Sequence, residues 1–270
     1  MAAAYLPRFD YGRLFVDCGH VVVRAAAPLI LGILVFGVAP ITATAFPWWV
    51  GSATTPSDTF RRVYIVVMTA KGVVNLLALS TLVAFVTVVS LKVLADMTWA
   101  EAFQPRRLIA TVGTALAVTV MINWPTVAAP IAYALTNSLS VQRVAGWAEV
   151  ICYAVVMTSI GIALPVATVD QATPLAAAIR AFRLLAKSRW RMVSFALLYF
   201  LTIGVCTYAV ELGLRGMGVT YESPGWTLAA IRLPTVLVGA ISNIALASIF
   251  LQARRIADGP SAAELHEVFA

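Results

Sequence analysis

Six long runs of apolar residues dominate the chain, and charged or turn-forming residues bound each run. A bilayer core about 30 Å thick needs roughly 20 helical residues at 1.5 Å per residue, so each run is long enough to cross a membrane. The runs extend from Ala25 to Phe46, Gly72 to Leu94, Leu108 to Leu135, Val150 to Val169, Met192 to Val210 and Leu233 to Leu251. This pattern predicts six transmembrane helices, named here spans one to six.

The odd-numbered spans follow a repeat. Each begins near a basic residue, at Arg24, Arg106 and Arg189, and the separations are 82 and 83 residues. A nearly constant period indicates a repeated structural unit. We therefore expect an all-α, polytopic fold in one integral membrane domain, residues 1–270, built from three pseudo-repeated hairpins. Their predicted bounds are about 1–96, 97–171 and 172–257, with a short amphipathic tail at 258–270.

Short amphipathic segments follow the even-numbered spans. Thr98 and Ser261 each precede a glutamate by three positions, which is the spacing of a capping box. In the middle copy Thr173 precedes Pro174, and this pair is typical of an N-cap and the first helical position. The pattern predicts interfacial helices, and a weaker version occurs at the amino end around Leu14, Phe15 and Val16.

The middle segment has the clearest pattern. Its apolar side chains fall on one helical face: Leu175, Ala178, Ile179, Phe182 and Leu185. Basic side chains form a neighbouring stripe and continue toward span five: Arg180, Arg183, Lys187, Arg189 and Arg191. These five cations are the candidate binding residues for anionic lipid headgroups. The simpler alternative is a basic loop that only satisfies the positive-inside rule.

Composition agrees with a membrane chain. Of 270 residues, 61% are hydrophobic and 11% are charged, and the mean hydropathy is +0.91. The net charge of +7 would suggest nucleic acid in a soluble protein, but a membrane protein concentrates Lys and Arg on its cytoplasmic side. The loops after spans one, three and five hold few of them: Arg61, Arg62, Arg143, Arg215 and Arg232. We expect both termini in the cytoplasm of a bacterial inner membrane, with lipid and not nucleic acid as the partner.

Catalytic chemistry has little support. The chain has two histidines and three cysteines, and the cluster around Asp17, Cys18 and His20 lacks a distant fourth ligand. Nucleotide-binding and hydrolase motifs are absent from the sequence. We therefore expect no enzyme, no cofactor and no metal site.

Polar residues within the spans suggest a second hypothesis. Four ionisable residues lie near the outer ends of spans two, four, five and six: Lys71, Glu149, Glu211 and Arg232. Either they face one another and form a polar vestibule for an anionic headgroup or a small solute, or each lies separately at its own interface, with Lys71 and Arg232 extending outward to water. Three amides lie deeper: Asn75, Asn123 and Asn243. They serve either as contacts between helices or, with prolines that bend span three at Pro125 and Pro130, as the lining of a substrate path. The alternative function is therefore a transporter or permease component.

One family resemblance emerges from these features. Two segments carry the resemblance. The first precedes span five and reads Ser188-Arg189-Trp190-Arg191. The second ends span six and reads Ile249-Phe250-Leu251-Gln252-Ala253-Arg254-Arg255, followed by Asp258-Gly259-Pro260. With six spans, the chain resembles the YciC-like group of bacterial inner-membrane proteins and the membrane domain attached to some glycerophosphodiester phosphodiesterases. The resemblance implies a membrane module without the metal-dependent enzyme domain. We expect a non-enzymatic module that engages anionic lipids and supports envelope lipid homeostasis, a membrane-protein complex or a homo-oligomer.

Overall fold

A computed structural model describes residues 10–40, 58–136, 140–186, 189–217 and 225–258. These residues are almost entirely helical, and no β-strand occurs among them. The helices are α1 (Tyr11–Arg24), α2 (Ala26–Gly32, continued by a π-helical segment, Ile33–Val38), α3 (Asp58–Leu94), α4 (Trp99–Ala102), α5 (Pro105–Thr136), α6 (Ser140–Ile160), α7 (Ala163–Asp170), α8 (Pro174–Leu185), α9 (Arg189–Gly216) and α10 (Gly225–Asp258). The predicted all-α class is confirmed.

Within the described ranges, four helices are long and apolar enough to cross a membrane, namely parts of α3, α5, α9 and α10. The number rises to six if α1 with α2, and α6 with α7, each count as one bent span. The helices extend beyond the apolar runs that predicted them. Helix α3 has 37 residues, so it is ~56 Å long and exceeds a bilayer core.

Two sharp bends interrupt the apolar helices. Helix α1 meets α2 at 84°, and α6 meets α7 at 45°. At the second bend the backbone approaches closely: a Cβ placed on Gly161 would lie 2.6 Å from the carbonyl oxygen of Met157. Glycine permits this geometry because it has no Cβ. The prolines predicted to bend span three lie inside α5, whose helical backbone continues past Pro125 and Pro130 to Thr136.

Two connections between helices share one local geometry. Asp96 and Gln171 adopt left-handed φ values of 51° and 52°, and each lies two residues before a threonine that caps the next helix. The predicted capping box forms, because Thr98 accepts from the Glu101 amide and the Glu101 carboxylate accepts from the Thr98 amide. The second threonine, Thr173, accepts from the amide of Ala176. We call the end of the bundle that carries these two connections the connector end; its described residues are 95–104, 171–186 and Arg189.

The densest core lies toward the connector end. Helix α7 is buried over Ala163–Thr168, and it contacts both α3 and α10. Helices α3 and α10 also contact each other, so these three helices form the inner layer of the bundle. Helices α2, α5 and α9 each pack against members of this inner layer. The largest fully buried side chain is Phe250 of α10.

The outer helices present a wide apolar surface. Side chains exposed along α9 and α6 include Leu197, Leu201, Val205, Trp147, Ile151 and Val155. A soluble monomer rarely exposes so large a continuous apolar surface, since contact with water is unfavourable. These helices have the length and the surface of a protein that lies in a membrane.

Candidate functional site

Helix α8 presents three different faces. Ala177, Ala181 and Leu185 are fully buried against the bundle. Leu175, Ile179 and Phe182 are exposed on a second face, and the arginines Arg180 and Arg183 lie on a third. The helix is amphipathic as predicted, but Leu185, which the sequence placed with the exposed apolar side chains, belongs to the buried face. One apolar face anchors the helix and the other is free to contact lipid.

An internal ion pair engages one of the predicted headgroup ligands. The Nη1 atom of Arg180 lies 3.0 Å from Oδ2 of Asp170, which is the last residue of α7. The Asp170 side chain is 16% exposed and that of Arg180 is 44% exposed, so the pair is partly shielded from water. Sequence reasoning missed this pair, because periodicity within α8 carries no information about the end of α7. Arg180 is therefore partly neutralised within the protein.

Arg183 is the remaining described cation of α8. Its side chain is exposed and makes no ion pair or hydrogen bond with another described residue. It lies one turn after Arg180, on the same face. The geometry makes Arg183 the cation of this helix that is most available to an external anion.

The junction of α8 and α9 adds an aromatic contact. The Arg189 guanidinium lies 4.1 Å from the centre of the Phe182 ring, within the range of a cation–π contact. Trp190 next to it is 84% exposed, as expected of an interface anchor. Arg191 is partly exposed and has an interaction partner within the protein. The predicted ligand Lys187 lies outside the described residues.

The short helix α4 carries a smaller version of this surface. The Lys92 ammonium lies 5.1 Å from the centre of the Trp99 ring, and the Trp99 side chain is exposed. Arg106 is exposed at the start of α5, whereas the Arg107 side chain turns inward and donates to Sδ of Met97 at 3.0 Å. Hydrogen bonds from Thr98 lower the pKa of Glu101.

The connector end and the helix ends next to it are rich in basic residues. The cations among the described residues of this region are Arg13, Arg24, Lys92, Arg106, Arg107, Arg180, Arg183, Arg189, Arg191, Arg254 and Arg255. The carboxylates in the same region whose side chains are described are Asp10, Asp17, Asp96, Glu101 and Asp170. Because the described cations outnumber the described carboxylates by eleven to five, this end carries a net positive charge.

Two of the four residues in the predicted outer vestibule, Lys71 and Glu149, have described side chains. The side chains of Lys71 and Glu149 are both partly exposed. Glu149 lies one turn before Tyr153, whose ring stacks on Tyr199 with a centroid distance of 4.5 Å. The side chains of Glu211 and Arg232 lie outside the description, so the convergence of all four groups stays a prediction.

The described amide contacts of the intramembrane asparagines are local. The Nδ2 atoms of Asn123 and Asn243 donate to the carbonyls of Thr119 and Gly239, four residues earlier in their own helices. Asn75 is exposed on α3 and has a partner within the protein. Such contacts satisfy a polar side chain in an apolar region without joining two helices.

A polar contact that does join two helices lies between α5 and α7. The hydroxyls of Thr111 and Thr168 are both fully buried and lie 2.8 Å apart. Each also donates to a carbonyl four residues earlier, so one hydroxyl hydrogen is shared between competing acceptors. Among the described residues, three or more His, Cys, Asp or Glu side chains nowhere assemble into a possible metal site.

Comparison with known proteins yields no match to a family model, a curated protein or a solved structure.

Proposed function

We propose that the protein is a six-span inner-membrane module that binds anionic lipid at its connector end. The proposed topology begins span one at Ala25, directly before α2, and counts α6 with α7 as span four. Both termini and the connector end then lie in the cytoplasm, and the chain forms three pseudo-repeated hairpins. The similar connections at Asp96 and Gln171 support the repeat. The resemblance to the YciC-like group is part of this proposal.

The observation that carries the lipid proposal is the three-faced helix α8. Its buried face fixes it against the bundle, while the exposed side chains of Leu175, Ile179 and Phe182 are suited to the acyl boundary. Arg183 then lies at the depth of the headgroups. A basic residue near an anionic leaflet contributes about 1 kcal/mol. A water-exposed loop helix would have no reason to expose three large apolar side chains beside its cations.

Native mass spectrometry tests this proposal through Arg183. The protein is purified from membranes in mild detergent, and its co-purifying lipids are identified for wild type, Arg183→Gln and Lys71→Gln. Each variant loses one cation, but Lys71 lies far from the connector end. We expect about fivefold weaker retention of anionic lipid in Arg183→Gln, the equivalent of about 1 kcal/mol, and no change in Lys71→Gln. Equal retention in all three proteins would refute the proposal.

The transporter alternative has one observation in its favour. The proposed fourth span is broken at Gly161, and discontinuous helices form the binding sites of many transporters. The described amide contacts of Asn123 and Asn243 stay within their own helices, so they favour neither packing between helices nor transport. Uptake into proteoliposomes that disappears in Asn123→Ala, while lipid retention stays normal, would favour transport.

A further inference from the structure

Helix α1 has the same three kinds of face as α8: one buried, one apolar and exposed, and one basic. It begins at Asp10, whose carboxylate caps it by accepting from the amides of Gly12 and Arg13. Its inner face is formed by Leu14 and Val21, both buried against the bundle. Because α1 meets α2 at 84°, it lies nearly across the direction of the span that follows.

The second face of α1 is apolar and exposed. Phe15 is 67% exposed, and Tyr11 and Val22 project from the same side. Val16 and Val23 widen this face and are also largely exposed. Water contact with so many large apolar side chains on one short helix is unfavourable.

The third face of α1 is basic. Arg13, His20 and Arg24 are exposed and recur at intervals of seven and four residues, which places them on one side of the helix. Rotation by 100° per residue gives the order buried, apolar, basic around α1, and the order around α8 has the same hand. If both apolar faces point toward one leaflet, this shared order makes the two helices run in the same rotational sense around the bundle.

Polar contacts fix α1 against α10. The side-chain amide of Gln252 accepts from the Asp10 amide at 3.0 Å and donates to the Asp10 carbonyl at 3.3 Å. Two turns along α1, the Asp17 carboxylate accepts from the Ser248 hydroxyl. Gln252 and Ser248 are themselves buried. The rotation of α1 about its own axis is therefore fixed, and its apolar face is held outward.

Both amphipathic helices, α1 and α8, pack against the inner layer. Helix α8 packs against α7, the inner helix that precedes it in the chain, and α1 packs against α10, the last inner helix. Helix α1 also contacts α3, and α8 also contacts α10, so each amphipathic helix touches two of the three inner helices. In the proposed repeat, α1 lies at the start of the first unit, as α4 does in the second and α8 in the third.

We propose that α1 is a second membrane-surface helix, with Phe15 and Val22 in the acyl boundary and Arg13 and Arg24 at the phosphates of an anionic lipid surface. This inference rests on the proposed membrane function and does not require lipid binding by Arg183. The proposed partner is the lipid surface. A helix with one broad apolar face beside two exposed arginines fits such a surface, because the apolar face enters the acyl boundary while the guanidinium groups meet anionic headgroups.

Site-directed spin labelling tests the orientation of α1. Single cysteines are placed at Phe15 and Val22 on the apolar face, and at Arg13 and His20 on the basic face, in a background that lacks Cys18, Cys152 and Cys206. The protein is reconstituted into vesicles of phosphatidylcholine and phosphatidylglycerol in equal amounts. Relative access of oxygen, which enters the acyl region, and of a water-soluble nickel chelate is then measured at each label.

We expect the ratio of oxygen access to nickel access to be several-fold higher at Phe15 and Val22 than at Arg13 and His20. Equal ratios on both faces would place α1 in water and overturn the proposal. Low access of both reagents at Phe15 would mean that protein covers the apolar face, and would overturn it as well. All four positions are exposed, so labels there leave the buried face intact.

A charge variant separates this inference from the proposed function. Arg13→Gln with Arg24→Gln should lower the oxygen-to-nickel contrast in vesicles that contain phosphatidylglycerol, and leave it unchanged in pure phosphatidylcholine. Arg183→Gln should leave the contrast unchanged in both. If the contrast is absent while Arg183→Gln still loses lipid, only the role of α1 is wrong. If the contrast is present while Arg183→Gln keeps its lipid, only the proposed function is wrong.

Discussion

Individual side chains at the connector end divide into those that hold the bundle together and those that remain available to a ligand. Arg180 and Arg183 are one turn apart in the same stripe, yet Asp170 pairs with the first and not with the second. The N-caps at Thr98 and Thr173 were predictable because capping is encoded within four residues. The Asp170 pair was not, since it depends on how α7 and α8 meet in space.

The capping box at Thr98 should respond to pH. Hydrogen bonds from Thr98 lower the pKa of Glu101, so the folded form favours the carboxylate. The contribution to stability is then complete at neutral pH and is lost as the pH falls through this lowered pKa. Hydrogen exchange of residues 95–104, corrected for intrinsic rates, should show α4 losing protection in acid, and Glu101→Gln should remove the pH dependence. Thr98→Ala should cost about 1 kcal/mol at neutral pH.

The buried threonine pair between α5 and α7 should contribute a small coupling energy. A double-mutant cycle combines Thr111→Val and Thr168→Val, and the free energy of unfolding is measured in mixed micelles. The expected coupling energy is about 0.6 kcal/mol. It is small because each hydroxyl keeps an acceptor in its own helix. Thr202→Val is a suitable control, since its hydroxyl bonds only within α9. A coupling near zero would mean that the interhelical bond contributes nothing to stability.

At the scale of elements, apolar periodicity located the helices but underestimated their length. Apolar runs stop at the first charge, whereas helix α3 continues outward through Arg61 and Arg62 to Asp58 because its backbone hydrogen bonds remain satisfied. The break at Gly161 was also missed, since Ile160, Ile162 and Leu164 continue the apolar run without a turn signal. A bend in the backbone at a single glycine does not change the hydrophobic pattern of the sequence, so that pattern could not predict it.

Close helix contacts should make one glycine sensitive to substitution. A Cβ on Gly37 would lie 2.6 Å from Cγ1 of Val236, where the first span packs against α10. We expect Gly37→Ala to destabilise the protein by about 1–3 kcal/mol through overpacking. Gly204→Ala is the matched control, because a Cβ there meets nothing within 4 Å. Similar unfolding midpoints for the two variants would show that the contact at Gly37 is loose.

The whole molecule combines an apolar exterior with a positive end. Composition was sufficient to predict the membrane class, because a chain with 61% hydrophobic residues and 11% charged residues cannot cover its surface with polar groups. The ring of inner helices α3, α7 and α10 was not predictable from one sequence, as no local pattern specifies which spans meet. Because α1 and α8 both pack on these inner helices at the basic end, we propose that this end faces the anionic leaflet.

The most direct test is a comparison of lipid retention across two opposite changes at one helix. Asp170→Asn releases Arg180 from its ion pair and adds an available cation, whereas Arg183→Gln removes one. If the connector end binds anionic lipid, retained phosphatidylglycerol, measured by native mass spectrometry, should fall in the order Asp170→Asn, wild type, Arg183→Gln. Lys71→Gln should match wild type. Equal retention in all four proteins, or weaker retention in Asp170→Asn than in wild type, would contradict a lipid-binding role for the connector end.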